Sequence, residues 1–405
     1  MFVFPLLPSG DGCATLFLRL FSALVKTIYF DYNATTPLDP AVREAMMPFF
    51  GDVFGNPSSV HHVGCQARAL LDDARDRVAK VWGAKPSEVV FTSGGTESNN
   101  LAVFGTARLL RPKGRHLITS AIEHHSVLHS FRYLALKEGY EVTYLPVDAE
   151  GLVSVQDLEK ALRPDTTFVS IMAANNETGS IQPVAALGDL CRSRGVVFHT
   201  DTTQYFGKLP FSSIQQFNAD LVSACSHKFH GPKGAGALFI KSPLLPDPII
   251  FGGGHENERR AGTENVAGII GFAEATERFV KNPVFPPEQL LALTRSLIES
   301  ARSMERVTFR GSPLHRLSNT VAFSVEGCDS TTVLTGLDLA GVCASGGSAC
   351  SAGSIEPSHV LSAMGASNEA ANSLIRFSLG RDSTMEEVQE VSAVLRNVIN
   401  RALQV

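Results

Sequence analysis

Short apolar runs alternate with amphipathic segments between Ile28 and Ile240. Most of the intervening segments carry apolar residues at helical spacing, as in Ser126–Gly139 and Val184–Arg194. The runs are rich in β-branched residues and have the length of buried strands: Glu88–Thr92, His116–Thr119, Glu141–Leu145, Thr167–Met172, Val196–Thr200, Leu221–Ala224 and Ala237–Ile240. This alternation predicts an α/β protein with a mainly parallel central sheet covered by helices on both faces.

The pattern changes after the Pro-rich stretch Lys281–Pro287. Beyond it, two longer amphipathic helices and two strands are predicted, at Pro287–Met304, Thr384–Leu403, Val307–Arg310 and Thr320–Val325. We therefore predict a large domain at residues 43–284 and a smaller α+β domain formed by residues 27–42 and 285–405.

Residues 1–26 fit neither domain. Their apolar stretch, Ala14–Val25, is interrupted by Arg19 and is too short for a membrane span, which needs about 20 apolar residues. No basic residue precedes Arg19, whereas a secretory signal begins with positive charge. We expect a poorly ordered extension or a misplaced start, with an apolar helix packed on the body as the alternative. No association with a membrane is predicted.

Composition narrows the classes of function. The 405-residue chain is 44% hydrophobic, which supplies a large core and argues against wholesale disorder. Its net charge of −5 argues against a dedicated nucleic-acid binder. The seven cysteines include no CxxC pair, so neither a disulfide framework nor a metal site is expected. A reducing, cytoplasmic location fits this cysteine usage best.

Polar clusters follow three of the predicted strands, and parallel sheets bind ligands at these strand ends. The first cluster, Ser93–Ser98, comes directly after EVVFT. Its glycines, followed by Thr96 at the start of a helix, suit an anion such as phosphate, because backbone N–H groups point out of a helix N-terminus. An ordinary glycine turn with a Ser or Thr cap is the alternative.

Asp201 and Lys228 follow two later strands. Asp201 ends VVFHT, where its carboxylate suits a cationic ligand group or, alternatively, the cap of a helix. Lys228, in SHKFHGPKGAG, suits an amine nucleophile in the same crevice. Together the three clusters favour pyridoxal phosphate, with its phosphate at Gly95 and Thr96, its ring nitrogen at Asp201 and a Schiff base to Lys228.

Ten motifs then carry a family resemblance. They are YFDYNATTPLDP, FGNPSSVH, FTSGGTESNN, EHHSVL, ANNETG, DTTQ, SHKFHGPKGAGAL, GGGHENERRAGTEN, SGGSACSAG and IRFSLGR. From Ile28 to about Leu403 the chain resembles the class V aminotransferase-fold cysteine desulfurases of the NifS/IscS type. The resemblance implies the type I fold of pyridoxal-phosphate enzymes, a homodimer, and conversion of L-cysteine to L-alanine with the sulfur left on an enzyme cysteine as a persulfide.

The resemblance also implies which residues bind the cofactor. His124, in EHHSVL, matches the histidine that stacks on the cofactor ring and moves protons. Gln204 matches the residue that hydrogen-bonds the phenolic oxygen, and Asn176 matches the one near the cofactor hydroxyl and the substrate carboxylate. The phosphate would be bound by Gly95, Thr96, Ser226, His227 and, from the other subunit, Thr263.

One cofactor contact departs from the family pattern. Where IscS-type sequences carry a serine three residues before the Schiff-base lysine, this chain carries Cys225. A phosphate-binding hydroxyl is then either lost or replaced by a thiol, which is a weak donor.

The substrate chemistry is expected at Cys350 and Arg376. Cys350 lies in SGGSACSAG, a stretch of small residues expected to be mobile and exposed, and matches the cysteine that receives the sulfur. Cys343, in LAGVCA, better fits a structural cysteine. Arg376, in IRFS, matches the arginine that binds the substrate carboxylate, where a planar guanidinium suits two hydrogen bonds. A surface arginine is the alternative.

Two other functions stay open at this point. Selenocysteine lyases share the fold and the cofactor, although SGGSAC favours the desulfurase. A non-catalytic scaffold would be free to lose the residues expected to carry the chemistry, yet the chain keeps Lys228, Asp201, His124, Cys350 and Arg376. The sulfur acceptor is expected to be a protein, either an iron–sulfur scaffold or a tRNA-thiolation enzyme.

Overall fold

A seven-stranded sheet lies at the centre of the computed structural model, which describes residues 27–347 and 357–403. Its strands are β2 (Val89–Thr92), β3 (His116–Ser120), β4 (Glu141–Leu145), β5 (Thr166–Ser170), β6 (Val197–Asp201), β7 (Leu221–Cys225) and β8 (Gly236–Ile240). The order across the sheet is β2-β8-β7-β6-β5-β3-β4, and the neighbours from β7 to β4 run parallel. The predicted mainly parallel sheet is confirmed. The extension predicted at residues 1–26 lies outside the described residues.

The helices follow one another along the chain as α1 (Pro40–Met46), α2 (His62–Trp82), α3 (Gly95–Asn100), α4 (Thr106–Leu110), α5 (His125–Glu138), α6 (Val155–Ala161), α7 (Val184–Ser193), α8 (Val266–Phe279), α9 (Pro287–Arg302), α10 (Ser330–Leu339), α11 (His359–Ala363), α12 (Asn368–Asn372) and α13 (Met385–Ala402). Within residues 27–347 and 357–403, none of the helices combines the length and the apolar character that crossing a bilayer requires.

Alternate residues of the central strands pack into two separate apolar clusters. On β7, Val222 belongs to one cluster and Leu221 to the other, and on β5 Val169 and Phe168 divide in the same way. Successive side chains of a strand point to opposite faces, so both faces of the sheet are buried. Helix α5 covers one of these faces with Phe131.

Strand β8 is antiparallel to both of its neighbours. Only the segment Ser226–Ala235 connects it to β7, whereas a parallel crossover needs a dozen or more residues. The reversal brings Gly236 close to Gly94, since a Cβ atom on Gly236 would lie 2.6 Å from the Gly94 Cα. A glycine at position 236 therefore lets β8 pack against the turn that follows β2.

The described residues form two smaller sheets. Their strands are β1 (Ile28–Tyr29), β9 (Val307–Arg310), β10 (Thr320–Val325), β11 (Val342–Cys343) and β12 (Leu374–Ser378). The three-stranded antiparallel sheet has the order β12-β10-β9, and the two-stranded parallel sheet pairs β1 with β11. Strand β1 thus joins the N-terminal part of the described chain to its C-terminal part. The domain boundaries predicted near residues 42 and 285 stay a prediction.

A buried ion pair holds the open edge of the central sheet. Arg75 of α2 donates to both oxygens of Glu256, at 2.7 and 2.6 Å. Glu256 also accepts from the N–H of Phe91 at 2.9 Å, and Arg75 donates to the carbonyl of Val89 at 2.8 Å. Both backbone groups belong to β2, the edge strand that leads to the glycines of the first polar cluster. The pair therefore satisfies backbone groups that no neighbouring strand reaches.

Arg75→Met should destabilise the protein by about 3–5 kcal/mol, because it leaves the buried carboxylate of Glu256 without its partner. Arg163→Met is the matched control and should change stability little, because its ion pairs lie at the surface. Urea unfolding followed by the fluorescence of Trp82, the single tryptophan, measures both variants. Equal stability of the two variants would contradict the role given to the buried pair.

Candidate active site

One cavity, of about 180 Å³, lies where β6 and β7 end and α3 begins. Ten of the residues predicted for the site line it: Gly95, Thr96, His124, Asn176, Asp201, Gln204, Cys225, His227, Lys228 and Arg376. They come from sequence positions far apart and from both the central and the three-stranded sheet. The cavity therefore brings together the residues that are predicted to carry the chemistry.

Asp201 ends β6 with its side chain buried at the cavity. One carboxylate oxygen accepts from the N–H of Thr203 at 2.8 Å, and the other accepts from Nδ2 of Asn99 at 2.7 Å. No helix begins after Asp201, so the alternative of a helix cap does not apply. Asn99 has no role in the sequence interpretation, although it lies in the motif FTSGGTESNN. The two donors fix the carboxylate for a cationic partner in the cavity.

The glycine cluster forms the start of α3, as predicted. Gly94 has φ +153, and Gly95 is the first residue of the helix. A Cβ atom on Gly95 would lie 2.8 Å from Oγ1 of Thr203, so a larger residue would crowd the cavity wall. Thr96 lines the cavity beside these backbone N–H groups. A helix N-terminus of this kind attracts an anion.

His227 and Cys225 line the same cavity as the start of α3, and both side chains are uncharged. Burial, reinforced by Lys228 and Lys233, lowers the pKa of His227 to about 3. Burial raises the pKa of Cys225 to about 11, although nearby Lys228 opposes the shift. At physiological pH the imidazole and the thiol therefore offer hydrogen bonds to an anion without adding charge.

Lys228 lies in the turn that follows β7, within the cavity. Its amine donates to the carbonyl of Asn33 at 2.6 Å and to that of Ala34 at 2.7 Å. These carbonyls belong to the segment between β1 and α1. The amine is thus held inside the cavity that also contains the Asp201 carboxylate.

Arg376 reaches the cavity from β12 and is only 1% exposed. Its NH2 group pairs with a carboxylate oxygen of Asp31 at 2.6 Å, and NH1 donates to the carbonyls of Asn176 and Gly347 at 3.0 and 3.1 Å. The other Asp31 oxygen accepts from Ser345 at 2.9 Å. The alternative of a surface arginine is wrong, because the guanidinium is buried and oriented by a carboxylate that the sequence interpretation missed.

His124 precedes α5 and caps it. Its Nδ1 atom accepts from the N–H of Ser126 at 3.2 Å and lies 2.8 Å from the hydroxyl of the same residue. These contacts fix the ring on the wall of the cavity. The adjacent His125 stacks on His129 with ring centroids 4.9 Å apart and lies 4.7 Å from the ring of His359. Even so, no group of three or more potential metal ligands is placed to hold an ion within the part of the chain that the structure describes.

Three predicted residues do not line this cavity. The hydroxyl of Ser226 donates to the carbonyls of Pro232 and Ala235 at 2.5 and 3.0 Å, so it serves the turn before β8. Thr263 lines a separate cavity beside Ser93. Cys350 lies outside the described residues.

The residues present fit pyridoxal phosphate. The helix start suits a phosphate, the fixed Asp201 carboxylate suits a protonated ring nitrogen, and the Lys228 amine suits an aldehyde. One buried polar atom of a cavity residue, Oδ1 of Asn99, makes no hydrogen bond within the described chain. Polar groups in this state are expected where a ligand completes the network.

Comparisons with known proteins identify the family. Residues 28–391 match the family Aminotransferase class-V. A cysteine desulfurase IscS from Dictyoglomus turgidum is 46% identical over 377 residues, which cover 93% of this chain and 95% of that relative.

Solved structures give the same result. A NifS-like protein superimposes with a TM-score of 0.86 at 36% identity, covering 93% of this chain and all of that one. A structure described as SspA in complex with cysteine superimposes with a TM-score of 0.76 at 37% identity, covering 88% of this chain and all of that one. Matched in sequence and in fold over most of its length, the chain belongs to the Aminotransferase class-V family and to the cysteine desulfurases within it.

Proposed function

We propose that the enzyme uses pyridoxal phosphate to convert L-cysteine to L-alanine and that Cys350 receives the sulfur as a persulfide. The proposal of this cofactor rests on one observation: Lys228, Asp201 and the start of α3 lie in the same cavity. L-Cysteine as substrate is supported by the curated relatives and by the neighbour described in complex with cysteine.

The cavity walls supply the contacts that such a cofactor needs. Gly95, Thr96, Cys225 and His227 would hold the phosphate, and Asp201 would keep the ring nitrogen protonated. His124 would stack on the ring, and Gln204 would face the phenolic oxygen. When bound, pyridoxal phosphate supplies an aldehyde for the substrate amine and a ring that withdraws electrons from the substrate Cα.

The remaining residues act on the substrate. Arg376 and Asn176 would orient the cysteine carboxylate, and Asp31 keeps the guanidinium in place. The Lys228 amine would move the proton of Cα, with His124 as the second acid or base. The thiolate of Cys350 would attack the substrate sulfur, so that the S–S bond forms as the bond between Cβ and sulfur breaks. The electron pair of the broken bond would stay with the carbon skeleton, and protonation of Cβ would give the methyl group of alanine.

The working unit is proposed to be a homodimer. Residues 47–60 expose four large apolar side chains, Met47, Phe50, Phe54 and Val60, which are 57–96% accessible in a single chain. A cluster of this kind is typical of a protein interface. Thr263, which lies outside the cavity of its own chain, would reach the phosphate of the partner subunit.

The persulfide sulfur is proposed to pass to a protein acceptor in the cytoplasm, either an iron–sulfur scaffold or a tRNA-thiolation enzyme. The names of the curated relatives support the desulfurase step, and the acceptor rests on the family resemblance alone. Product analysis with L-cysteine and L-selenocysteine in parallel tests the reaction. Equal or greater turnover of selenocysteine would favour the lyase.

Lys228→Ala should abolish turnover, because no other amine of the described residues lines the cavity. Borohydride reduction followed by mass spectrometry should find the cofactor attached to Lys228 in the parent enzyme and to no residue of the variant. Lys233→Ala is the control, since Lys233 is an exposed lysine in the same connection between strands. Cofactor attached to the Lys228→Ala variant at the parent level would refute the assignment.

Cys350→Ser should bind L-cysteine but release almost no sulfide, because a hydroxyl cannot form a persulfide. Cys343→Ser should keep nearly full activity, since Cys343 belongs to β11 and does not line the cavity. Mass spectrometry of the cysteine-treated enzyme should locate the added sulfur on Cys350. Sulfur on Cys343 or Cys225 instead would overturn the role of Cys350.

Phe54→Asp should shift the enzyme from dimer to monomer, because it places a charge within the exposed apolar cluster. Leu314→Asp is the matched control, since Leu314 is 84% exposed but lies outside that cluster. Sedimentation of both variants measures the change. A parent enzyme that is fully active as a monomer would contradict both the proposal that two subunits share each active site and the role given to Thr263.

A further inference from the structure

A second lysine, Lys208, lies buried behind the cavity. It is 1% exposed, and its amine donates to Oδ1 of Asn33 at 2.6 Å and to Oε1 of Gln204. The ring of Phe285 lies 5.4 Å from the amine. Both oxygens that Lys208 contacts belong to residues that line the cavity.

A lysine is energetically unfavourable at this buried position. Within the described chain no carboxylate forms an ion pair with it, although a buried ammonium without a counter-ion destabilises a protein. Burial, together with the charges of Lys228 and Arg376, holds the pKa of Lys208 well below its ordinary value. An apolar side chain of similar volume would fill the same space at less cost, so packing alone does not explain a lysine here.

Lys208 determines which end of the Gln204 carboxamide points toward it. A carboxamide has a donor end and an acceptor end of nearly the same shape, and its environment decides which way it points. The Lys208 amine contacts two acceptor oxygens and offers both of them protons, whether or not it carries charge. Oε1 of Gln204 must therefore face Lys208, and the nitrogen must point the other way.

The nitrogen end of Gln204 lies beside Lys228. Nε2 donates to the carbonyl of Asn33 at 3.0 Å, and the same carbonyl accepts from the Lys228 amine at 2.6 Å. Because two donors share one acceptor, the N–H end of Gln204 is on the Lys228 side of the cavity.

We propose that Lys208 is a positioning residue that fixes the Gln204 carboxamide with its N–H end toward the cofactor. The inference rests on the function proposed above, which places the cofactor's phenolic oxygen next to Gln204. A donor aimed at that oxygen stabilises its negative, unprotonated form, so it lowers the pH at which the bound cofactor loses its proton.

The other charged and titratable groups around the cavity are Asp31, His124, Asp201, Cys225, His227, Lys228 and Arg376. Lys208 interacts electrostatically with Cys225, His227, Lys228 and Arg376, so its replacement changes the charge near these groups as well as the contact with Gln204. A shift produced by replacing Lys208 is therefore traceable either to the orientation of Gln204 or to the charge of Lys208 itself. A second substitution at Gln204 separates these two causes.

The experiment titrates the visible absorption band of the enzyme reconstituted with pyridoxal phosphate. Lys208→Met should raise the midpoint pH by about one unit, the shift expected when one neutral hydrogen bond is lost. Lys160→Met, at an exposed lysine, should leave the midpoint unchanged. In a Gln204→Leu background, Lys208→Met should add no further shift, because the carboxamide through which it acts is gone.

Each outcome decides the proposal. An unchanged midpoint in folded Lys208→Met overturns it, and so does a shift of the same size in the Gln204→Leu background, which would mean that the charge acts directly. If the parent enzyme shows no visible band, the proposed cofactor site itself is refuted. If the band is present but its midpoint pH does not respond to Lys208→Met, only the role proposed for Lys208 is refuted. Should Lys208→Met not fold, Lys208→Gln replaces it. The new carboxamide can both donate and accept, so the orientation of Gln204 is released, and an unchanged midpoint again overturns the proposal.

Discussion

The site depends on the short segment that follows β1, because this segment supplies partners for three basic side chains at the cavity. Asp31 pairs with Arg376, the backbone carbonyl of Asn33 accepts from Lys228, and the side chain of Asn33 accepts from Lys208. Burying an ion without a partner costs several kcal/mol, so the buried guanidinium of Arg376 depends on this segment staying in place. The segment is anchored on one side by the pairing of β1 with β11 and on the other by the packing of α1 on α8.

Much of the fold could be predicted from the sequence, because strands buried on both faces read as continuous apolar runs. The predicted strands at Val307–Arg310 and Thr320–Val325 have the observed bounds, and the helices predicted at Pro287–Met304 and Thr384–Leu403 end within two residues of α9 and α13. The two-residue pairing of β1 with β11 carries too little pattern to be recognised. The five-residue helices α11 and α12 are equally hard to predict, because helices this short are stabilised by tertiary contacts rather than by propensity.

The site residues likewise include some that could be predicted from the sequence and some that could not. Asp201 and Lys228 were predictable because they lie at or just after the ends of parallel strands, where ligands bind. Asp31, Asn33 and Lys208 were missed because each acts through another side chain rather than at a strand end. The motif YFDYNATTPLDP, which contains Asp31 and Asn33, was recognised as a whole, but contacts between residues more than a hundred positions apart appear only after folding. Ser226 serves a turn while its neighbour Cys225 faces the cavity, because successive side chains of an extended chain point to opposite sides.

The central claim is that this cavity cleaves the bond between carbon and sulfur of L-cysteine and keeps the sulfur on the enzyme. A single-turnover reaction with the reconstituted dimer and less than one equivalent of L-cysteine tests it most directly, by quantifying every product of the carbon skeleton and the sulfur bound to the protein. The account predicts L-alanine and protein-bound sulfur in equal amounts. Pyruvate and ammonia with free sulfide, or the absence of both alanine and bound sulfur, would contradict it.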